Sequence, residues 1–316
     1  MKKLFLVMLC LMVAASGFVF AGAQKDSGAT YIPLVSKGFQ HQFWQAVKQG
    51  ADKAAQEFGV EITFEGPETE QMTDKQIDML AAAMAKNPKA LGFAALDSRA
   101  ATSYLQDAQR RGIPVIAFDS GVDSDIPLTT VSTDNVAAAA EAARRMGEAI
   151  GGSGKVALMV HDQTSGTGIQ RRDGFINEMK AKYPNVQILE VQYGGGDHLK
   201  SADLAKAVIN ANPDLKGYYG SNEGSIIGVV TAVKELNKSG IVLVGFDSSK
   251  VLKDAIRDGT LAGAVSQNPV LMGYETVRAA VRALKGETLP KHIDSGFLWV
   301  DKSNLDTPEV SAVMYD

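Results

Sequence analysis

Cysteine is nearly missing: the 316-residue chain has one, Cys10. That count excludes a disulfide framework and a cysteine-built zinc site. Histidine is scarce too. The four histidines, His41, His161, His198 and His292, have none of the close spacing that paired metal ligands use, so no metal is expected. Basic residues are not in surplus, since 32 Lys+Arg against 36 Asp+Glu give a net charge of −4. Nothing therefore draws the chain electrostatically to nucleic acid. No phosphate loop of the Gly-x-x-x-x-Gly-Lys type occurs, no Gly-x-Gly-x-x-Gly follows the first predicted strand, and no Gly-x-Ser-x-Gly elbow is present. No cofactor is expected, and with the usual catalytic carriers missing the reading turns towards binding.

Long apolar runs are missing as well. Met1-Lys2-Lys3 is followed by the short run Leu4–Val13, smaller residues from Ala14, and Ala21-Gly22-Ala23. This is the three-part layout of a secretory signal over residues 1–23, with cleavage after Ala23. The run is relieved by Ser16 and Gly17 and falls short of the roughly 20 apolar residues that span a bilayer. Cys10 lies too deep in it to serve as a lipid-anchored cleavage cysteine. The expected product is a cysteine-free chain, soluble in the periplasm or extracytoplasmic space.

What remains is rich in apolar residues and mixed in charge, which argues for a folded chain; at about 150 residues per domain its length suggests two. Short β-rich runs alternate with segments of helical period. Strands are predicted at 31–36, 60–64, 91–95, 113–118, 128–131, 156–160, 186–192, 217–220, 241–246 and 262–266, with one more ending at 299–300. The intervening helices include 73–85, 135–150, 199–211, 223–237 and 270–285. Alternation of this kind means parallel sheets with helices on both faces. Ten or so strands are many for one open sheet, so the fold class is α/β, with two doubly wound parallel-sheet lobes. In such sheets functional groups gather at the carboxyl ends of the strands.

Those ends are polar and aromatic. The first strand leads into Ser36-Lys37-Gly38-Phe39-Gln40-His41-Gln42-Phe43-Trp44, and others into Asp119-Ser120, Ser165-Gly166-Thr167-Gly168 with Arg171 and Arg172, Ser221-Asn222-Glu223, Phe246-Asp247-Ser248 and Gln267. Carboxylate, amide and guanidinium groups bond hydroxyls in pairs, and aromatic faces stack on the C–H face of a sugar ring. Each residue also has a plainer job open to it. Asp119, Asn222 and Asp247 are candidates for capping helices, Phe43 and Trp44 for core, and the arginines for surface charge. Gly194-Gly195-Gly196 is either a plain loop or a place where backbone approaches a ligand.

Taken in order, Val35-Ser36 with Phe43-Trp44, Ile113–Asp119, Ser132-Thr133-Asp134-Asn135, Arg171 with Gly174-Phe175, Asn222-Glu223, Val244–Asp247 and Gln267 resemble the periplasmic sugar-binding proteins of ABC importers. The likeness is to the ribose-binding-like branch of the type I fold and runs from about Tyr31 to Val300. It implies two lobes joined by a three-strand hinge near Thr133, Gln267 and Gly296. Residues 30–132 with 268–295 would form the N-terminal lobe, and 133–267 with 296–316 the C-terminal one. It also implies ligand-binding roles. Phe43 and Trp44 would form an aromatic wall, Asp119, Arg171, Asn222, Asp247 and Gln267 would bond hydroxyls, Ser36 and His41 would approach from the first loop beside Ser120, and Phe246 would lie near the ring. The ligand would be a sugar or polyol delivered by a monomer to an ABC permease.

Three departures bear on the ligand: Ser120 stands where the branch carries an arginine, Gly196 where it carries an aromatic, and His41 where it carries an asparagine. Losing an arginine and a ring is expected to enlarge the pocket and lower its positive charge, which disfavours ribose. The alternative function, presenting a bound small molecule to a membrane signalling receptor, would use the same lobes. An exported enzyme and a transcriptional regulator are further readings, the latter short of an N-terminal helix-turn-helix.

Overall fold

The computed structural model describes residues 30–315, so the signal assigned to residues 1–23 lies outside the described residues. Two sheets form two lobes. The first holds β1 (Tyr31–Val35), β2 (Glu61–Glu65), β3 (Leu91–Phe93), β4 (Val115–Phe118), β5 (Thr129–Ser132) and β12 (His292–Asp294), in the order β12-β5-β4-β3-β1-β2. All its pairings are parallel. The second holds β6 (Ser153–Val160), β7 (Asn185–Ile188), β8 (Gln192–Tyr193), β9 (Leu215–Gly220), β10 (Val242–Phe246), β11 (Gly263–Gln267) and β13 (Phe297–Asp301). Its order is β13-β11-β10-β9-β6-β7, with β8 also paired to β6.

The lobes thus repeat one topology, and each has a switch point where the chain reverses its direction across the sheet, between β1 and β3 and between β6 and β9. Ligand sites of doubly wound sheets form in that crevice. One edge departs from the expectation of purely parallel sheets: β13 runs antiparallel to β11. The reason is its route. The chain leaves β12 in the first sheet, turns through Ser295 and left-handed Gly296 (φ 77°), and enters the second sheet from the opposite end. The predicted strand 186–192 divides into β7 and β8, and the short edge strand β12 was not anticipated.

Helices cover both faces of both sheets. They are α1 (Gln42–Phe58), α2 (Thr73–Ala85), α3 (Thr102–Arg110), α4 (Asn135–Ala149), α5 (Gly166–Lys182), α6 (His198–Ala211), α7 (Glu223–Glu235), α8 (Lys250–Asp258), α9 (Pro269–Leu284) and α10 (Pro308–Ser311). The core is correspondingly divided. Leu34, Val47, Ile116 and Val277 belong to one layer of the first lobe, and Leu80, Phe93 and Leu105 to the other. In the second lobe, Ile226, Leu243 and Leu252 lie on one side of the sheet and Met146, Leu158 and Phe175 on the other. Tyr315, in the segment read as part of the second lobe, packs in the first lobe's core, with its ring 6.3 Å from that of Phe43.

Three chain crossings join the lobes, and they are tied to one another. Thr133 Oγ1 donates to Gln267 Oε1 at 3.0 Å and lies 3.5 Å from both Gly296 O and Ser295 Oγ. Asp134 and Asn268, one residue beyond the first two crossings, cap the helices that follow. A crossing that ends in a capped helix start keeps its bending confined to one or two residues.

Candidate functional site

Asp119 and Asp247 end equivalent strands, β4 and β10, in the same three residues, Phe-Asp-Ser. Both adopt left-handed backbone, with φ of 55° and 78°. At Asp119 the turn is so tight that Ser120 N–H bonds back to Phe118 O at 2.6 Å. Strained φ at two matching strand ends directs both carboxyl groups into the space between the lobes, a location where such strain usually serves a ligand. Neither is the N-cap residue of a helix, although Asp247 accepts the first amide of α7, Glu223 N–H.

Their surroundings differ. Asp247 is satisfied by its own lobe: Gln267 Nε2 donates to Oδ1 at 2.7 Å and Glu223 N–H to Oδ2 at 2.8 Å. Asp119 is 5% exposed and accepts no hydrogen bond from any described residue; its cationic neighbour Lys37 stands with Nζ 3.9 Å away. Burial pushes the Asp119 carboxyl up to about 6, against the pull of Lys37 and Arg171. A buried carboxylate without donors costs several kcal/mol unless a ligand supplies them.

Arg171 is held from three sides. Its Nε donates to Asn135 Oδ1 at 2.7 Å, Nη1 donates to Ser221 O at 2.9 Å, and the guanidinium lies 4.3 Å from the centroid of the Phe246 ring. Its remaining amino group has no partner among the described residues. Phe246 is therefore a platform beneath the arginine, with its edge on Tyr219, rather than an open face for a sugar.

Lys37, 2% exposed, enters from the first lobe and donates to Thr167 Oγ1 of the second at 3.1 Å. Burial opposes its charge, but Glu70, Asp119 and Asp162 outweigh that and raise its pKa. Thr167 Oγ1 also lies 3.1 Å from His161 Nε2, whose Nδ1 is 2.7 Å from Ser221 Oγ. Burial holds His161 below the ordinary imidazole range, against the pull of Asp162, and the ring stands as a spacer between two hydroxyls.

Glu70 receives Trp44 Nε1–H at 2.9 Å on one oxygen and Asn222 Nδ2–H at 3.3 Å on the other. Despite burial, the charges of Lys37 and His41 hold it well below the usual carboxylate range. His41 Nδ1 lies 3.4 Å from Glu70 Oε1, and its Nε2 lies 2.9 Å from Gly196 O across the cleft. Burial works against protonation of His41, yet Glu70, with Glu223 behind it, lifts its pKa to about 9. A pKa raised on folding stabilises fully below the ordinary value of 6.5, and the contribution is lost as pH climbs through about 9. The melting temperature of the parent protein is expected to fall across this range by more than that of His41→Gln; parallel thermal profiles would remove the pair.

Asp119, Arg171, Asp247, Gln267 and Asn222 converge. Asn222 also caps α7 through Ser225 N–H, so the plainer role is real beside the other. Ser36 is corrected: its hydroxyl donates to Glu65 O and Gly38 O, locking the loop, and leaves the inward position to Lys37. Phe43 and Trp44, 4% and 1% exposed, pack edge-to-face on each other and on Tyr315 and Phe118, so both rings are core at the cleft's edge. Ser120 is buried, its hydroxyl without a partner among the described residues.

Two expectations about the pocket are overturned. The space at Gly196 is not open: a Cβ there would stand 2.8 Å from Glu70 Oε2 and 3.2 Å from Asn222 Nδ2. The glycine loop brings backbone to the first lobe, and the Tyr193 hydroxyl accepts from Arg172 Nη1 at 3.4 Å. Positive charge is not lost with Ser120 either, because Lys37 supplies it. Room exists on the other side of Asp119, where a recess of about 640 Å³ runs past Gly121, Asn135 and Gly166 to His292. Lys37, Glu70 and His161 stand among these groups and were not among the residues expected from the sequence. Lys37 lies in the first strand's polar ending, and Glu70 lies in the polar loop that follows β2.

Two hinged α/β lobes whose strand ends meet in one buried polar cleft define a solute-binding protein of the type I fold. The periplasmic binding protein domain model matches residues 32–288, and the chain belongs to that family. Among curated relatives, it is 28% identical over 278 residues to the D-allose-binding periplasmic protein of Escherichia coli K12, covering 85% of this chain and 89% of the relative. Among solved structures, an ABC transporter solute-binding protein from Agrobacterium vitis bound with α-D-tagatopyranose gives a TM-score of 0.87 at 33% identity, over 90% of this chain and 99% of the other. A second Agrobacterium vitis solute-binding protein, with bound D-fucose, gives 0.87 and 33% over 90% and 100%.

Proposed function

We propose that the protein is exported by its N-terminal signal, captures a neutral sugar or polyol between its lobes, and delivers it as a monomer to an ABC import permease. The observation that carries this is the buried Asp119 carboxylate, which has no hydrogen-bond donor among the described residues and faces two cations. A ligand with vicinal hydroxyls donates to that carboxylate and accepts from the spare hydrogens of Lys37 and Arg171. The proposed ligand-binding set is Asp119, Arg171, Lys37, Asn222, Asp247 and Gln267. Carboxylates outnumber cations around the cleft, which speaks against an anionic solute. The allose, tagatose and fucose of the similar proteins favour a six-carbon sugar, and the recess beside Asp119 and Gly121 offers the space.

Selectivity follows from the same groups, since an analogue lacking a hydroxyl leaves a buried charge unpaired. Binding rather than turnover is proposed. Thermal-shift screening of the mature chain against pentoses, hexoses and polyols tests the reading: a sugar at about 100 times its dissociation constant stabilises by roughly 2.7 kcal/mol. No shift with any neutral sugar, and a shift with an amino acid or anion, would contradict it. Lys37→Met should weaken binding of the best sugar about 10- to 100-fold in calorimetry, the worth of a hydrogen bond to a charged group; unchanged affinity would take Lys37 out of the ligand shell.

A further inference from the structure

Six of the ten helices are capped by a side chain of their own N-cap residue: Asp134, Ser165, Asp197, Asn222, Asn268 and Thr307. Two of the others, α1 and α8, begin at the cleft on opposite lobes. Their N-cap residues, His41 and Ser249, give no side-chain cap. The Ser249 hydroxyl is buried without a partner among the described residues.

Each of these helices is capped from across the gap. Glu223, on the second lobe, accepts the N–H of Gln42 on Oε1 and of Phe43 on Oε2, both at 3.3 Å, at the start of α1. Gln42, on the first lobe, accepts the N–H of Lys250 on Oε1 at 3.1 Å, at the start of α8. Glu223 is 4% exposed, so its carboxylate is committed to this contact. We propose that Glu223 and Gln42 form a reciprocal helix-capping latch that closes the lobes and sets ligand affinity without touching the ligand. The inference rests on the closure reading of the proposed function. When the lobes part, three helix-start amides lose their acceptors together, and water must replace them. Apparent affinity scales with the fraction of protein in the closed form, so these positioning residues act on every ligand alike.

The test measures hydrogen exchange at the amides of Gln42, Phe43 and Lys250 in the parent protein, Glu223→Ala and Gln42→Ala, alone and with a mixture of D-ribose, D-glucose, D-galactose and D-fructose. Gln42 is on the rim, so its variant is expected to fold even where Glu223→Ala is impaired. The expected result is that the three amides exchange with one common opening. Glu223→Ala should accelerate Lys250, which it does not touch, and Gln42→Ala should accelerate Phe43. Any of the four sugars that binds the parent should bind each variant about 3- to 30-fold more weakly, chiefly through faster dissociation, the effect of losing a helix cap. Unrelated exchange at the three amides, or a Lys250 amide indifferent to Glu223→Ala, would overturn the latch. Failure of all four sugars to bind would instead count against the sugar reading, while the amide coupling still decides the latch.

Discussion

Replacing Asp119 by asparagine is expected to weaken sugar binding by a hundredfold or more while leaving the melting temperature unchanged or raised. Asparagine keeps the size of the side chain and tolerates the left-handed backbone that position 119 requires. What it loses is the charge and one acceptor. Hydrogen bonds to a charged group contribute about 1.5–3 kcal/mol each, so two of them amount to roughly two to four powers of ten in affinity. Stability should move the other way. The carboxylate is buried, takes no hydrogen bond from the described residues, and is pushed up to about 6 by its burial. A carboxyl group raised on folding destabilises the protein at neutral pH, so removing the charge relieves that penalty. Calorimetry and a thermal melt on the same variant check both halves. A variant that binds normally, or one that unfolds, would each contradict this account of the residue.

Gly273→Val should cost about 3 kcal/mol of stability or more. A Cβ at Gly273 would stand 1.9 Å from Val47 O of α1, and one at Gly50 would stand 1.9 Å from Val270 O of α9. The two glycines let α1 and α9 touch backbone to backbone, and a carbonyl oxygen cannot rotate aside as a side-chain tip can. The helices would have to separate, uncovering the layer that contains Val47, Met272 and Val277. Overpacking a rigid core usually costs about 1–3 kcal/mol, and backbone-on-backbone contact belongs at the upper end. Chemical denaturation reports the difference, and a loss below about 1 kcal/mol would mean that the contact is softer than its geometry.

Much of the architecture was legible because alternation of strand and helix is written in apolar periodicity, and the strand-end rule then located Asp119, Arg171, Asn222, Asp247 and Gln267. What stayed hidden depended on tertiary contact. Lys37 reads as an ordinary lysine until Thr167 and Asp119 are placed beside it. Glu70 sits in a polar loop that looks solvated, and only the approach of His41, Trp44 and Asn222 makes it a buried anion. Gly196 misled for a related reason: a missing side chain suggests space, whereas the opposite lobe fills it. Trp44 and Phe43 have the composition of a sugar platform and the packing of a core. The antiparallel β13 follows from the third crossing at Gly296, a route that pairing patterns within one strand do not announce.

A sugar bound between the lobes is expected to supply the hydrogen bonds that Asp119 does not receive from the described residues. The most direct measurement is a crystal structure of the mature protein grown with the hexose that gives the largest thermal shift. Density for one pyranose ring is expected in the cleft, with two hydroxyls within hydrogen-bonding distance of the Asp119 carboxylate and others reaching Lys37 and Arg171. A sugar seated elsewhere, or closed lobes with Asp119 still facing no donor, would contradict it.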